Sequence, residues 1–370
     1  MKKMKNPLFL AAGVLVILGA AYVGISQMNA SAEKKEEEQK EYVVKMDDVS
    51  ELSFYNGKDV LGFVRVGEEW EYKTDPEFPL NQNIFSRIET DASDLEPVRI
   101  LKDAEATDVY GLDEPQYWVQ MTGTDGTVKK VQIGDQTDTN YYACVEGEET
   151  VYTISSSLPS ELQYDLYDLI QLESIQSVSA DQILSVTVEK ADGNGYFLQK
   201  EEKEIAKEAE SSGGTDMTEN SGEADMTESS SEEDVTESEP ESPEDTELVV
   251  EWYIQDQDRS EERRKLEASG TGDVVTDAIS SLYVSSCENY KATDEMLEEY
   301  GLGQPIQITY TYETVSEDGS TKEESMTLKV GNIDENGEYY FVNLPESMAI
   351  NKVNAENLKK VIEKAPENFQ

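Results

Sequence analysis

The sequence predicts an α+β fold: two tandem repeats of antiparallel β-meanders with packing helices, preceded by one transmembrane helix. Three observations predict it. Residues Asn6 to Ala32 carry no charged side chain. Most of the chain beyond them alternates apolar and polar residues between Asn-Gly and Asp-Gly pairs, the strongest short-range hairpin signals. The pattern Tyr110, Gly111, Leu112, Pro115 returns as Tyr300, Gly301, Leu302, Pro305, each residue 190 positions later. Residues 1–6 are then a cytoplasmic stub, 7–27 the anchor and 28–44 a charged linker. The first repeat spans 45–175. The second spans 178–366 and is interrupted by an acidic insertion over 200–247.

The anchor comes first. Leu8 to Ile25 is almost wholly apolar, close to the roughly 20 helical residues that cross a hydrocarbon core. Lys2, Lys3 and Lys5 precede it, and Glu33 to Glu41 is net acidic. Positive charge stays in the cytoplasm. The N-terminus is therefore expected inside, with the bulk extracytoplasmic at the cell membrane. The alternative is a signal peptide cleaved after Ala32, at Ala30-Ser31-Ala32. The apolar run exceeds the roughly 7 to 15 residues of a signal h-region, which favours retention. Both readings suit a bacterial envelope protein.

Each repeat opens with a meander, in the first copy Leu52–Tyr55, Val60–Val66 and Trp70–Lys73. A helix follows over 81–95, capped by Asn81 or Asn83, with Ile84, Phe85, Ile88 and Leu95 at helical spacing. Its counterpart covers 271–283. The Tyr-Gly-Leu corner leads to a second meander. There Tyr117–Thr122 reaches the turn Asp125-Gly126, and Ile306–Tyr312 reaches Asp318-Gly319. Ile133-Gly134-Asp135 then matches Val330-Gly331-Asn332, and Tyr141-Tyr142 matches Tyr339-Tyr340. Upstream, Leu52-Ser53-Phe54 matches Leu184-Ser185-Val186. Closing helices are expected over 158–172 and 355–364.

Glu201 to Glu247 holds 19 Asp and Glu against two Lys, and no Tyr, Trp or Phe. Such a stretch buries too little apolar surface to offset its ordering entropy, which predicts a disordered insertion.

Composition excludes several functions. The net charge of −50 argues against nucleic acid, which needs clustered Lys and Arg. The chain has no histidine, so His-based triads and imidazole zinc sites are excluded. Its two cysteines, Cys144 and Cys287, fall at non-equivalent points of the repeat. An exported location permits a disulfide, and two separate buried thiols are the alternative.

Several residues together resemble the DUF4340 domain family of bacterial envelope proteins. These are Trp70 and Tyr72, Phe78-Pro79-Leu80, the Tyr-Gly-Leu-x-x-Pro corner, Ile133-Gly134-Asp135 and Tyr141-Tyr142. The resemblance covers 45–175 well and 180–366 more loosely, since the second copy lacks the Phe-Pro-Leu element. It implies no activity and supplies no catalytic residues. Some members are associated with ABC-2 type transporters or fused to auxiliary subunits of gliding-motility export systems, which implies an envelope accessory role.

The chemistry stays sparse. Tyr110, Gly111, Leu112 and Pro115, with Tyr300, Gly301, Leu302 and Pro305, are best read as a structural repeat motif: a left-handed glycine cap with Pro blocking continuation. Trp70, Trp118 and Trp252 read as core. Asp334, Asn336 and Gly337 lack the spacing of a calcium loop and read as a hairpin turn. No residue is assigned to catalysis, a cofactor or a metal, and no small-molecule ligand is identified. The leading expectation is a non-enzymatic accessory or interaction subunit, held to the membrane by its N-terminal helix, with ABC transporter subunits as partners. The alternatives are a cell-wall or glycan binding module with Tyr-rich strands and a carboxylate-based hydrolase.

Overall fold

A computed structural model describes residues 41–206, 246–266, 269–316 and 318–363. The stub, the anchor expected over 7–27 and most of the insertion lie outside the described residues. Among the described residues, no helix is long and apolar enough to cross a membrane. They form two compact units that divide between Leu172 and Glu173. Both are antiparallel and rich in β-structure, with a few helices.

The first unit contains β1 (Val44–Lys45), β2 (Val49–Tyr55), β3 (Val60–Val66), β4 (Glu69–Tyr72), β5 (Asp94–Leu95) and β6 (Arg99–Leu101). After the corner come β7 (Tyr117–Gly123), β8 (Val128–Thr137), β9 (Asn140–Val145) and β10 (Val151–Ser155). Eight of these form one sheet in the order β4-β3-β2-β7-β8-β9-β10-β6. β1 pairs separately with β5, and the Val43 amide donates to the Leu95 carbonyl at 2.8 Å. Val43 and Val44, in the stretch expected to be linker, therefore belong to this pairing.

Alternation decides the core. Leu52, Phe54, Leu61, Phe63, Val119, Met121, Val131 and Ile133 are buried on one face of the sheet. Helix α1 (Gln82–Ser93) covers part of that face through Phe85, Ile88 and Ala92. The Phe85 ring lies 4.3 Å from Phe63 and 5.0 Å from Trp70. Asn81 is the cap: its side chain accepts from the Asn83 and Ile84 amides. Leu95, expected in this helix, pairs in β5 instead. The continuous helix expected over 158–172 is a correction. It breaks into α2 (Ser157–Glu161) and a 3-10 turn, Leu166–Leu169. Asp165 is extended, and its amide donates to the Asp168 carboxylate at 2.8 Å, so local polar bonds restart the chain.

The second unit contains β11 (Ile183–Glu189), β12 (Tyr196–Ala206), β13 (Thr246–Asp256), β14 (Arg264–Lys265), β15 (Val284–Asn289), β16 (Ile306–Val315), β17 (Thr321–Ile333), β18 (Tyr339–Asn343) and β19 (Ile350–Asn354). Its helices are α3 (Ser269–Ser280), α4 (Asp294–Glu299) and α5 (Ala355–Ile362). The sheet order is β14-β13-β12-β11-β16-β17-β18-β19-β15. Apart from β14, this is the connectivity of the first sheet. The Tyr196 hydroxyl donates to the Val361 carbonyl at 2.8 Å, tying β12 to α5.

Strand pairing corrects two details of the internal match. Leu52 lies opposite Phe63, and Val186 lies opposite Leu198. Leu52 therefore corresponds to Val186, two residues beyond the Leu184 expected. A two-residue slip keeps the same face, so alternation cannot detect it. Ile133 pairs with Ala143 and Val330 pairs with Val342, each just before a register break. The counterpart of Tyr141-Tyr142 is accordingly Tyr340-Phe341.

The acidic insertion is also shorter than expected. β12 and β13 stay paired as far as Ala206 and Thr246. Charge pattern explains this, because opposite charges meet across the ladder. Lys203 Nζ sits 2.6 Å from Glu251 Oε2, and Lys265 Nζ sits 2.5 Å from Glu251 Oε1. Arg263 is ion-paired with Glu201.

Candidate functional site

The two Tyr-Gly-Leu corners are built alike. A 3-10 turn, Thr107–Tyr110, ends at Gly111 with φ 69°, and the chain beyond α4 turns at Gly301 with φ 78°. Leu112 and Leu302 donate their amides back to Thr107 and Leu297, at 3.1 and 2.7 Å. Each corner crosses a second glycine. A Cβ on Gly134 would lie 2.2 Å from the Tyr110 carbonyl oxygen, and one on Gly331 would lie 2.2 Å from that of Tyr300. The structure thus brings the corner together with the Gly134-Asp135 and Gly331-Asn332 elements.

The tyrosines serve packing at these corners. Tyr110 and Leu112 cluster with Cys144 and Val151. The Tyr110 ring lies 4.7 Å from Tyr142, and the Tyr300 ring lies 4.5 Å from Phe341. Pro115 and Pro305 stand just ahead of β7 and β16 and are half-buried.

A second repeated constellation escaped the sequence reading. The register of β3 on β4 places Arg65 opposite Trp70, and that of β12 on β13 places Lys200 opposite Trp252. In both units a carboxylate from the following helix accepts the indole N–H. Trp70 Nε1 donates to Glu89 Oε2 at 2.9 Å, and Trp252 Nε1 donates to Asp273 Oδ1 at 3.0 Å. In the first unit the cluster is closed. Arg65 donates to both Glu89 oxygens at 2.5 Å and lies 4.7 Å from the Trp70 ring centre. In the second, Lys200 bonds to the Asp181 carbonyl at 2.8 Å and pairs with Glu202 at 3.0 Å. Trp70 and Trp252 are core as expected, but Trp118 is not. It is half-buried on the opposite sheet face, stacked on Tyr55 at 6.4 Å with Lys130 Nζ 4.9 Å from its ring.

The second cluster opens into a groove. Trp252, Val250 and Leu248 alternate along β13 on one face, with exposures of 2%, 36% and 65%. Burial falls along this series because the ribbon runs past the covering helix. In the first unit β4 begins at Glu69, so no such extension precedes Trp70. Ala180 and Asp181, from the 3-10 turn Ala180–Gln182, form one wall; Asp273, Thr276 and Asp277 of α3 form another. The space is about 500 Å³, within the range of ligand clefts. Apolar side chains, three Asp and one Lys line it. The sequence signal was the alternation of Leu248, Val250 and Trp252, just beyond the acidic stretch.

Asp334, Asp256 and Asp192 act as turn acceptors. Asp334 accepts from the Glu338 and Tyr339 amides, at 2.8 and 3.0 Å. Asp256 accepts from Ser260 and Glu261, and Asp192 from Asn194, which holds both carboxyls below their usual range. Glu161 differs. It is 7% exposed, one oxygen accepts from Arg87 Nε at 2.6 Å, and Oε2 is buried without a partner. Burial pushes its carboxyl upward despite Arg87, and burial likewise raises nearby Asp91. Both cysteines are free and buried, and burial raises both thiols, Cys287 to about 11. No cluster of three or more His, Cys, Asp or Glu able to hold a metal occurs among the described residues.

The fold and these sites define an antiparallel β-sheet protein whose Tyr-Gly-Leu residues build corners and in which a groove opens beside Trp252. The sequence model of the family described as a domain of unknown function (DUF4340) matches residues 70–238. The chain is a DUF4340 domain-containing protein. The match begins in β4, crosses the division between the units and ends within the acidic stretch. No curated protein and no solved structure matches the chain.

Proposed function

We propose that this protein is a membrane-anchored, extracytoplasmic interaction subunit, accessory to an envelope transport system of the ABC-2 type, and non-enzymatic. The observation that carries it is the groove beside Trp252. Two apolar side chains, Leu248 and Val250, are held uncovered on a fully paired ribbon, and grouped exposed apolar surface marks contact sites. The apolar run Leu8–Ile25 behind three lysines supports the anchor and its direction. The shared strand order, the two crossed-glycine corners and the two cation–Trp–carboxylate clusters support reading the units as tandem copies of one domain. A photo-crosslinker at Leu248 in the native host tests this, read by mass spectrometry. A permease or ATPase subunit is the expected adduct; adducts from only unrelated proteins would overturn the reading. Protease access in intact cells and in spheroplasts checks the orientation.

Trp118 favours a second reading, a glycan-binding face. Its ring, Tyr55 and Lys130 share the outer side of the first sheet, and such aromatic surfaces stack on sugars. Binding to peptidoglycan that disappears in Trp118→Ala supports it. No binding by the full chain rules it out.

A further inference from the structure

We infer that the groove beside Trp252 takes a cationic segment of a partner protein, one that alternates Lys or Arg with apolar side chains. This rests on the reading of the protein as an interaction subunit and names the chemistry of what it holds. The floor is apolar, formed by Leu248, Val250 and the edge of Trp252. The walls carry three exposed carboxylates, Asp181, Asp273 and Asp277. The single lining cation does not offset them, because Lys200 is already engaged by the Asp181 carbonyl and Glu202. A segment that fills this space must bury apolar side chains beside uncompensated negative charge. Cations at its flanks satisfy both demands.

Charge also decides against the competing occupants. The chain's own acidic stretch holds 19 acidic residues against two Lys, so it adds repulsion to a negative wall. A second copy brings a net charge of −50. An anionic lipid surface is repelled for the same reason. The attraction of a basic segment acts within a Debye length, about 8 Å at physiological salt, so it weakens as salt rises.

The three tryptophans provide the test. The full chain, labelled with 5-fluorotryptophan and kept in mild detergent, gives one fluorine signal each for Trp70, Trp118 and Trp252. Two synthetic peptides of equal length are titrated, one alternating Lys with Leu and the other Glu with Leu. The expected result is a saturable shift of the Trp252 signal by the Lys peptide alone, weakening severalfold at high salt. Asp181→Lys combined with Asp277→Lys should weaken binding at least tenfold, and Leu248→Ser should weaken it as well. All three positions are exposed, and a Trp252 signal that stays away from its unfolded position in the free variants confirms that the second unit folds. A still Trp252 signal, equal binding of the Glu peptide, or undiminished binding by the charge-reversed variant overturns the inference. The two readings separate in cells. A transporter subunit captured equally by wild type and by charge-reversed protein sinks the groove assignment while leaving the interaction role standing.

Discussion

Gly331 crosses the carbonyl of Tyr300 so closely that a Cβ there would lie 2.2 Å from the oxygen, and Gly134 stands in the same relation to Tyr110. The obstacle is backbone, which cannot rotate aside as a side chain can. Gly134→Ala and Gly331→Ala should therefore destabilise their units by about 1–3 kcal/mol or more, the usual cost of overpacking. Gly126 is a useful control. Its φ is +83° but nothing lies within 4 Å of its Cβ position, so Gly126→Ala should cost only left-handed strain, about 1–2 kcal/mol. Urea unfolding of the full chain measures both. Free tolerance of Ala at 134 or 331 would show that the corner does not depend on this crossing.

Glu173 fastens the start of the second unit. Its carboxylate accepts from Ser347 Oγ at 2.5 Å and from Asn351 Nδ2 at 2.7 Å. Asn351 is fully buried, and its Oδ1 already lacks a partner. Glu173→Ala would leave the buried amide N–H unsatisfied too, at a cost of about 1–3 kcal/mol. Glu173→Gln keeps one acceptor and should cost less. Thermal unfolding resolves the order; equal losses for the two variants would place the effect elsewhere.

Much of the architecture was legible because it rests on local chemistry. Asp-Gly turns, alternation and the Asn81 cap each act over a few residues. What escaped was long-range or degenerate. Leu184 and Val186 share a face, so only pairing with Leu198 decides which matches Leu52. Trp118 and Trp252 both sit in strands, and only the helices' choice of face makes one half-buried and the other core. The groove was invisible because the β12–β13 ribbon persists through a run of Glu, stabilised by lysines distant in sequence, Lys203 and Lys265. The Arg65–Trp70 and Lys200–Trp252 pairs join positions that a linear comparison separates by different offsets.

Burial of both free thiols makes a chemical prediction. Cys144 and Cys287 should resist an aromatic disulfide reagent at pH 8 in the native protein, since burial holds Cys287 up at about 11 and also raises Cys144. Two thiols should titrate after denaturation without reductant. A count of zero would mean a disulfide joins them.

Glu161 should make stability fall with rising pH. Its folded carboxyl is raised by burial beyond what Arg87 restores. Below the ordinary glutamate value of about 4.3 both states are protonated, so the group is neutral in its effect. As pH climbs from there toward the folded value, the unfolded chain releases the proton first. Unfolding is then favoured, and stability declines until the folded group ionises as well. Glu161→Gln removes the titration while keeping an oxygen for Arg87 Nε. Relative to wild type, the variant should therefore gain stability as pH rises from 4 to 7. Asp91 is raised in the same direction but titrates in both proteins, so it cancels in the difference. Urea midpoints at the two pH values decide the matter. A variant that loses ground as pH rises would mean that Arg87, not burial, governs this carboxyl.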